Sequence, residues 1–310
     1  MRFLCDDGKY NSLERRLYAR WMWWLTGVRK PQEYREIYLE HLGELEEALT
    51  ETPGPFLFGD DITLADIRFV PMLERQIASL LYFKGYDVRD EEEWPHICSW
   101  LAAWEARPSY AATKSDHYTH SRALPPQLSG GCSIEDTPER EAAAARIDSL
   151  PAGNCSSPWR EPGWDRSAPH ASRAEAARRL VHGQARIVRF AARAAGTPAA
   201  VPASAPLADP RADPSEGIVP VVDAVLRHAV DALLGGAPGA TGVTSVGDPG
   251  TAEAAAGCLD YLRARVGVPR DMSAPAAEEL RGTLYVIAQE LRAHGTVGAR
   301  PVGVAVGAGR

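Results

Sequence analysis

The segment Gly59-Asp-Asp-Ile-Thr-Leu-Ala-Asp66 constrains the fold of this chain most, because it contains the start signal of a helix. Thr63 is placed as the N-cap residue. Asp66, three residues later, is placed to accept a hydrogen bond from the Thr63 amide, which makes a capping box with Asp in the position usual for Glu or Gln. Ile62 and Ile67 flank the box at the spacing of a hydrophobic staple, and Gly59 allows the chain to reverse just before it. We therefore predict a helix that begins after Thr63.

Apolar residues before and after this segment recur with a helical period. Near the N-terminus, one helix face is marked by Leu13, Leu17, Trp21 and Trp24. Pro31 and Pro95 stand where further helices are expected to begin, and the first turn is the helical position that proline favours. No segment shows the alternation of polar and apolar residues that is typical of a strand. The sequence therefore predicts an all-α fold.

Composition changes near residue 130 and divides the chain. All four lysines and six of the eight tryptophans lie before that point, and the remainder is rich in Ala, Pro and Gly. Residues 114–132 show no periodic pattern and are expected to be irregular, whereas Ser172 and Glu175 form a second predicted capping box. The expected parts are a helical domain (1–130), a linker with Pro- and Gly-rich stretches and helices at 138–148 and 173–195 (131–216), a helical extension (217–294) and a disordered tail (295–310).

Charge and cysteine content limit the expected partners. The net charge is −7, so we expect no nucleic-acid partner, and no apolar run approaches the about 20 residues of a membrane span. The five cysteines form no Cys-x-x-Cys pair, and Cys5 lies beside two aspartates, the opposite of what an activated thiolate needs. His117 and His120, with Asp116 and Cys132 nearby, lack the context of a zinc site. We therefore predict a surface loop there and no metal.

Residues 10–112 resemble the C-terminal domain of glutathione transferases. The run from Gly59 to Asp66 is similar to the capping box and staple that start the central helix of that domain, and a Trp94-Pro-His-Ile helix ending at Arg107-Pro108 follows at the expected distance. The resemblance implies a helical bundle, a homodimer, glutathione as co-substrate, and either glutathione conjugation in detoxification or thiol-dependent reduction. Residues 113–128 and 266–273 resemble a plant and algal branch with extra C-terminal helices.

The resemblance does not extend to the N-terminal domain of that family. Family members bind glutathione and activate its thiol with a thioredoxin-like domain. Here about ten residues precede the first predicted helix, and they contain neither a strand–helix–strand pattern nor a Cys-Pro-x-Cys motif. We therefore expect no catalytic residue in this chain, no activity in isolation, and a thioredoxin-like half that is encoded upstream or supplied by a partner. A cytoplasmic location is expected, or a plastid one if the true N-terminus lies further upstream.

The first helix carries the residues expected to face the second substrate. Arg16, Arg20 and Trp23 recur at i, i+4 and i+7, and Trp24 adjoins them. The resemblance implies that this helix lines the pocket for the electrophile. Guanidinium and indole groups suit a flat or anionic ligand, although a solvated face explains the same spacing.

Two further features have more than one interpretation. Arg179, Arg186 and Arg193 are seven residues apart, with Arg178 and Arg189 near them. This row favours a solvated helix face over a phosphate-binding site. For the whole chain, the alternative to a transferase is a non-catalytic helical module that mediates protein–protein association.

Overall fold

The computed structural model describes residues 7–128, 131–149, 161–197, 212–235, 244–246, 248–294 and 296–297. Within these residues nearly all of the regular secondary structure is helical, which confirms the predicted all-α class. Two short strands, β1 (Thr244–Ser245) and β2 (Thr296–Val297), pair antiparallel, and β2 falls within the predicted tail. The helices are α1 (Asp7–Thr26), α2 (Pro31–Ala48), α3 (Leu64–Lys84), α4 (Pro95–Glu105), α5 (Pro108–Ala111), α6 (His117–Ala123), α7 (Pro138–Ser149), α8 (Pro169–His182), α9 (Gln184–Ala191), α10 (Val219–Gly235), α11 (Pro249–Arg263) and α12 (Ala274–His294).

A first helical unit is built around α1, α2, α3 and α4. The predicted α1 stripe is buried, and the α2 residues Tyr38, Leu42 and Leu45 pack against it. One hydrogen bond inside this core joins α2 to α3. Tyr38 donates its hydroxyl hydrogen to Gln76 Oε1 at 2.8 Å. Helix α7 packs on α3 through the cluster that contains Ile147, so this part of the predicted linker belongs to the first unit.

The predicted capping box forms at the start of α3 and does more than cap the helix. Thr63 is the N-cap residue, and its amide and hydroxyl donate to Asp66 Oδ2 at 2.9 and 2.7 Å. The other carboxylate oxygen, Oδ1, accepts from the amide of Leu57 and from the indole Nε1 of Trp100, both at 3.0 Å. Asp66 is fully buried. One carboxylate therefore joins the preceding turn, the helix start and α4.

The turn before α3 depends on two glycines. Gly59 has a φ of +106° and Gly54 a φ of +133°, a region that L side chains rarely adopt. Phe56 and Gly59 exchange amide-to-carbonyl hydrogen bonds at 3.0 Å in both directions. Of the two predicted staple residues, Ile62 packs against the core, whereas Ile67 is 52% exposed. Of the two staple residues, it is therefore Ile62 that buries apolar surface against the core.

Helix α6 forms where the sequence analysis predicted irregular structure. Asp116 caps it by accepting a hydrogen bond from the Thr119 amide at 2.9 Å. The prediction was wrong because seven residues are too few to show a periodic pattern, and because the supporting contacts are distant in sequence. Tyr118 packs in one cluster with Ile147, for example.

The second predicted capping box does not form. Helix α8 begins at Pro169, three residues before Ser172, in agreement with the preference of proline for the first turn. The Glu175 carboxylate instead accepts hydrogen bonds from the amide and hydroxyl of Ser273, at 3.0 and 2.7 Å, at the start of α12. The spacing of Ser172 and Glu175 is that of a capping box, but the Glu175 carboxylate accepts its hydrogen bonds at the start of a helix almost a hundred residues away.

A second helical unit contains helices α8 to α12. Its core mixes many alanines with larger residues such as Leu259, Leu284 and Ile287. Small residues on facing helices allow the larger ones to interdigitate. Helices α8 and α9, predicted as part of the linker, lie inside this unit. The proline-rich stretch of the predicted linker, residues 198–214, falls mostly outside the described residues.

A buried ion pair joins the two units. The Arg281 guanidinium of α12 pairs with the Asp116 carboxylate at the start of α6, and both groups are buried. The same guanidinium donates to Thr119 Oγ1 at 2.9 Å and to the carbonyl of Val266 at 2.5 Å. Ser115 donates its hydroxyl to the carbonyl of Val268 at 2.6 Å. Burial opposes ionisation of Asp116, but Arg281 and the Thr119 bonds hold the pKa of Asp116 below its usual value.

Replacement of Asp66 by Asn should destabilise the first unit. In this variant an amide nitrogen takes the place of one carboxylate oxygen and faces the two donors that this oxygen accepted from. Two hydrogen bonds to a charged acceptor are then lost, so we expect the free energy of unfolding to fall by roughly 3 kcal/mol. Urea unfolding followed by tryptophan fluorescence measures it. Asp60→Asn, in the exposed part of the same loop, is the control and should change stability by less than about 0.5 kcal/mol. Equal effects of the two variants would contradict the conclusion that Asp66 joins the turn, the start of α3 and α4.

The ion pair between the units should make stability depend on pH. Because the folded-state pKa of Asp116 is depressed, its contribution is complete above the unfolded-state pKa of about 4 and is lost as the pH falls through the folded-state value. The stability difference between wild type and Asp116→Asn should therefore shrink in that acidic range.

At neutral pH, Arg281→Met should cost about 3–5 kcal/mol because it leaves a buried carboxylate unpaired. Arg292→Met on the same helix, which breaks exposed ion pairs with Glu253 and Asp260, should cost less than about 1 kcal/mol. A small effect of Arg281→Met at neutral pH rules out this account of the interface.

Candidate substrate surface and basic cavity

Three of the four predicted pocket residues share one face of α1. The Arg20 guanidinium carbon lies 4.0 Å from the centroid of the Trp23 ring, and Trp23 is 47% exposed. Tyr34 of α2 approaches the same ring, with centroids 6.2 Å apart. Arg16 is neutralised by Glu44, at 2.5 Å between Nη2 and Oε2. Among the described residues no carboxylate lies within 4 Å of Arg20, so its charge is available on this face.

Trp24 is not part of that face, which corrects its assignment to the predicted pocket. It lies in the core, 1% exposed, and contacts the rings of Tyr38 and Tyr86 at centroid distances of 5.5 Å. Its indole Nε1 donates to Glu135 Oε1 at 2.7 Å. Its edge forms the floor of a separate surface cavity of about 440 Å³. Residues at adjacent helix positions point about 100° apart, so Trp23 and Trp24 cannot share a face.

The described cysteines are poor nucleophiles. Burial raises the pKa of Cys98 to about 11, that of Cys132 to about 12 and that of Cys258 to about 11. The thiolate is the reactive form, so these thiols are almost fully protonated at neutral pH. Cys5 lies outside the described residues. Within the part of the chain that the structure describes, no cysteine is suited to covalent catalysis.

The predicted surface loop around His117 and His120 is instead a buried ionic cluster. His117 pairs with Glu161 and His120 pairs with Glu74, each at 2.8 Å. Lys114 lies 3.6 Å from Glu161. Although burial opposes it, the charges of His117 and Lys114 lower the pKa of Glu161. The void among these groups holds about 10 Å³, the space of one water molecule, so it leaves no room for a larger ligand.

The basic row Arg179, Arg186 and Arg193 does not lie on a simple solvated face. Together with Arg189 it lines a cavity of about 850 Å³ between α8, α9 and the start of α12. Sequence reasoning missed Arg265 and Arg270, which line the same cavity. No local pattern relates these two residues to the row, because only the packing of the second unit brings them together.

The described residues contain no group of three or more potential metal ligands. No helix in the described residues combines the length and the apolar character that crossing a bilayer requires.

Comparisons with known proteins agree with the helical architecture of the first unit. Residues 13–107 match the sequence model of the glutathione S-transferase C-terminal domain. A glutathione S-transferase-like protein, OpS6 of Beauveria bassiana (strain ARSEF 2860), is 38% identical over 77 residues, which cover 24% of this chain and 33% of the relative. The match thus spans about a third of the length of that curated relative. No solved structure matches the chain.

The first unit is therefore an all-helical domain whose central helix starts at a capping box. Residues 13–107 within this unit form a domain of the glutathione S-transferase C-terminal type.

Proposed function

We propose that the first unit supplies the wall of a glutathione transferase site that contacts the second, electrophilic substrate. The observation that carries the proposal is the Arg20–Trp23 pair on α1, in which the half-buried guanidinium lies over the exposed indole ring. A guanidinium stacked on an indole offers a flat cationic surface, which suits an aromatic or anionic electrophile. Arg16 next to it is already paired with Glu44, so Arg20 and Trp23 are the residues that determine affinity.

The thiol-activating group of such a site comes from elsewhere. A conjugating enzyme must lower the pKa of the glutathione thiol. In the described residues the thiols have raised pKa values, and burial also raises the pKa of the Tyr38, Tyr82, Tyr86 and Tyr110 hydroxyls. We propose that a thioredoxin-like domain, in a longer form of this protein or on a partner, binds glutathione and completes the site. The first unit and its extension are inactive without it.

The 310-residue chain alone should not conjugate glutathione. With chlorodinitrobenzene as electrophile, we expect the same rate in its presence and in its absence, and we expect no retention on immobilised glutathione. The absorbance of the conjugate and the eluate of the resin are the two measurements. A protein-dependent rate that heating abolishes, or specific elution by free glutathione, overturns this part of the proposal.

The Arg20–Trp23 surface should bind flat anions. Titration calorimetry with dinitrophenolate tests this, and Arg20→Met should raise the dissociation constant about fivefold, the equivalent of about 1 kcal/mol. Trp23→Leu should have a similar effect because it removes the ring. Arg15→Met on an exposed part of the same helix is the matched control and should leave the affinity unchanged. Equal affinities in all three variants contradict the assignment.

A docking role is the second candidate, favoured by the exposure of Trp23 on the Arg20 face of α1, at 47%. In that case the face contacts a second copy of the chain, and light scattering gives twice the mass of 33.6 kDa. Trp23→Leu then lowers the measured mass and leaves dinitrophenolate affinity unchanged. The two outcomes separate a ligand surface from an interface.

A further inference from the structure

The cavity in the second unit has an arginine-rich rim. Six arginines line it, against two aspartates, Asp213 and Asp271. His182 adds a seventh basic side chain. The whole chain is acidic, with a net charge of −7, so this local excess of positive charge is a property of the cavity. A concave site with one sign of charge concentrates ions of the opposite sign.

Part of this charge has no acidic partner among the described residues. Arg270 is paired with Asp271, and Arg189 with Glu216, at 2.6 and 2.7 Å. Arg179 and Arg186, by contrast, are exposed and have no carboxylate within 4 Å among the described residues. A guanidinium offers planar donors that match a carboxylate, sulfonate or phosphate in bidentate geometry. These two side chains are therefore available for an anion.

The floor of the cavity is apolar. It is formed by buried side chains from α8, α11, α12 and the connection before α12, with the partly buried Ile187 and Phe190 of α9 beside them. The buried members are Leu180, Leu262, Val266, Met272 and Leu280. An apolar floor below a cationic rim fits a ligand with the same division, an apolar body that carries an anionic group.

The break between α8 and α9 lies at the cavity. Gly183 separates the two helices and lines the cavity, and its amide donates to the carbonyl of Arg179 at 3.1 Å. A Cβ atom at this position would lie 2.8 Å from Ile187 Cδ1, closer than side chains normally approach. The volume of about 850 Å³ is within the range of small-molecule sites, whereas a duplex nucleic acid would require a long convex or flat basic surface.

We propose that this cavity binds small amphipathic organic anions, such as fatty carboxylates or aromatic sulfonates. The anionic group lies against Arg179 and Arg186, and the apolar body lies on the apolar floor described above. The site belongs to the helical extension, outside the matched transferase domain, and its function does not depend on the proposed role of α1.

Calorimetric titration of the full chain with dodecanoate and with anilinonaphthalene sulfonate tests the proposal. Arg179→Gln and Arg186→Gln should each weaken binding about tenfold, because each removes a charge-assisted hydrogen bond. Arg178→Gln is the matched control, because Arg178 is exposed on the same helix but does not line the cavity. It should bind like wild type, and circular dichroism verifies that all variants are folded.

Ligand controls separate charge from hydrophobicity. Dodecyltrimethylammonium has the same tail with the opposite charge, and acetate has the anionic group without a tail, so both should bind at least tenfold more weakly than dodecanoate. The proposal is overturned if neither probe binds saturably, if Arg178→Gln weakens binding as much as Arg179→Gln, or if the ammonium compound binds as well as dodecanoate. Full displacement of the probes by a duplex DNA oligonucleotide also overturns it and favours a nucleic-acid surface. Arg20→Met should leave dodecanoate binding unchanged, which separates this site from the surface on α1.

Discussion

The first unit depends on one buried carboxylate that is held by neutral donors. Asp66 accepts four hydrogen bonds, two from Thr63 and one each from Leu57 and Trp100, and no basic side chain among the described residues forms an ion pair with it. A buried charge is tolerated only when its hydrogen bonds are complete. The turn, the start of α3 and the position of α4 must therefore all be correct together. The arrangement couples local helix initiation to the packing of the whole bundle.

Local features were predictable from the sequence to the extent that they depend on nearby residues. The capping box at Thr63 and Asp66 is such a feature, since both partners lie within four positions. The bonds that Asp66 makes to Leu57 and Trp100 are not, because they depend on how the turn and α4 fold back. Ser172 and Glu175 show the reverse case. Their spacing is that of a capping box, but Glu175 binds the distant Ser273 instead.

The same distinction applies to the candidate sites. The α1 face was predictable from helical periodicity, although the periodicity could not show that Trp24 lies in the core. The basic row, which runs from α8 to the turn after α9, was visible in the sequence as three arginines seven residues apart. The contribution of Arg265 and Arg270 was not visible, because these residues reach the cavity only through the packing of α11 and α12. The row therefore lines a cavity only because of the tertiary structure.

The ion pair between Asp116 and Arg281 has a consequence for how this chain can evolve. Each partner is buried, so neither residue can be exchanged alone without leaving the other with an unmatched charge. We therefore expect the transferase-like bundle and the helical extension to evolve together. In related chains that carry both parts, positions 116 and 281 should change as a pair.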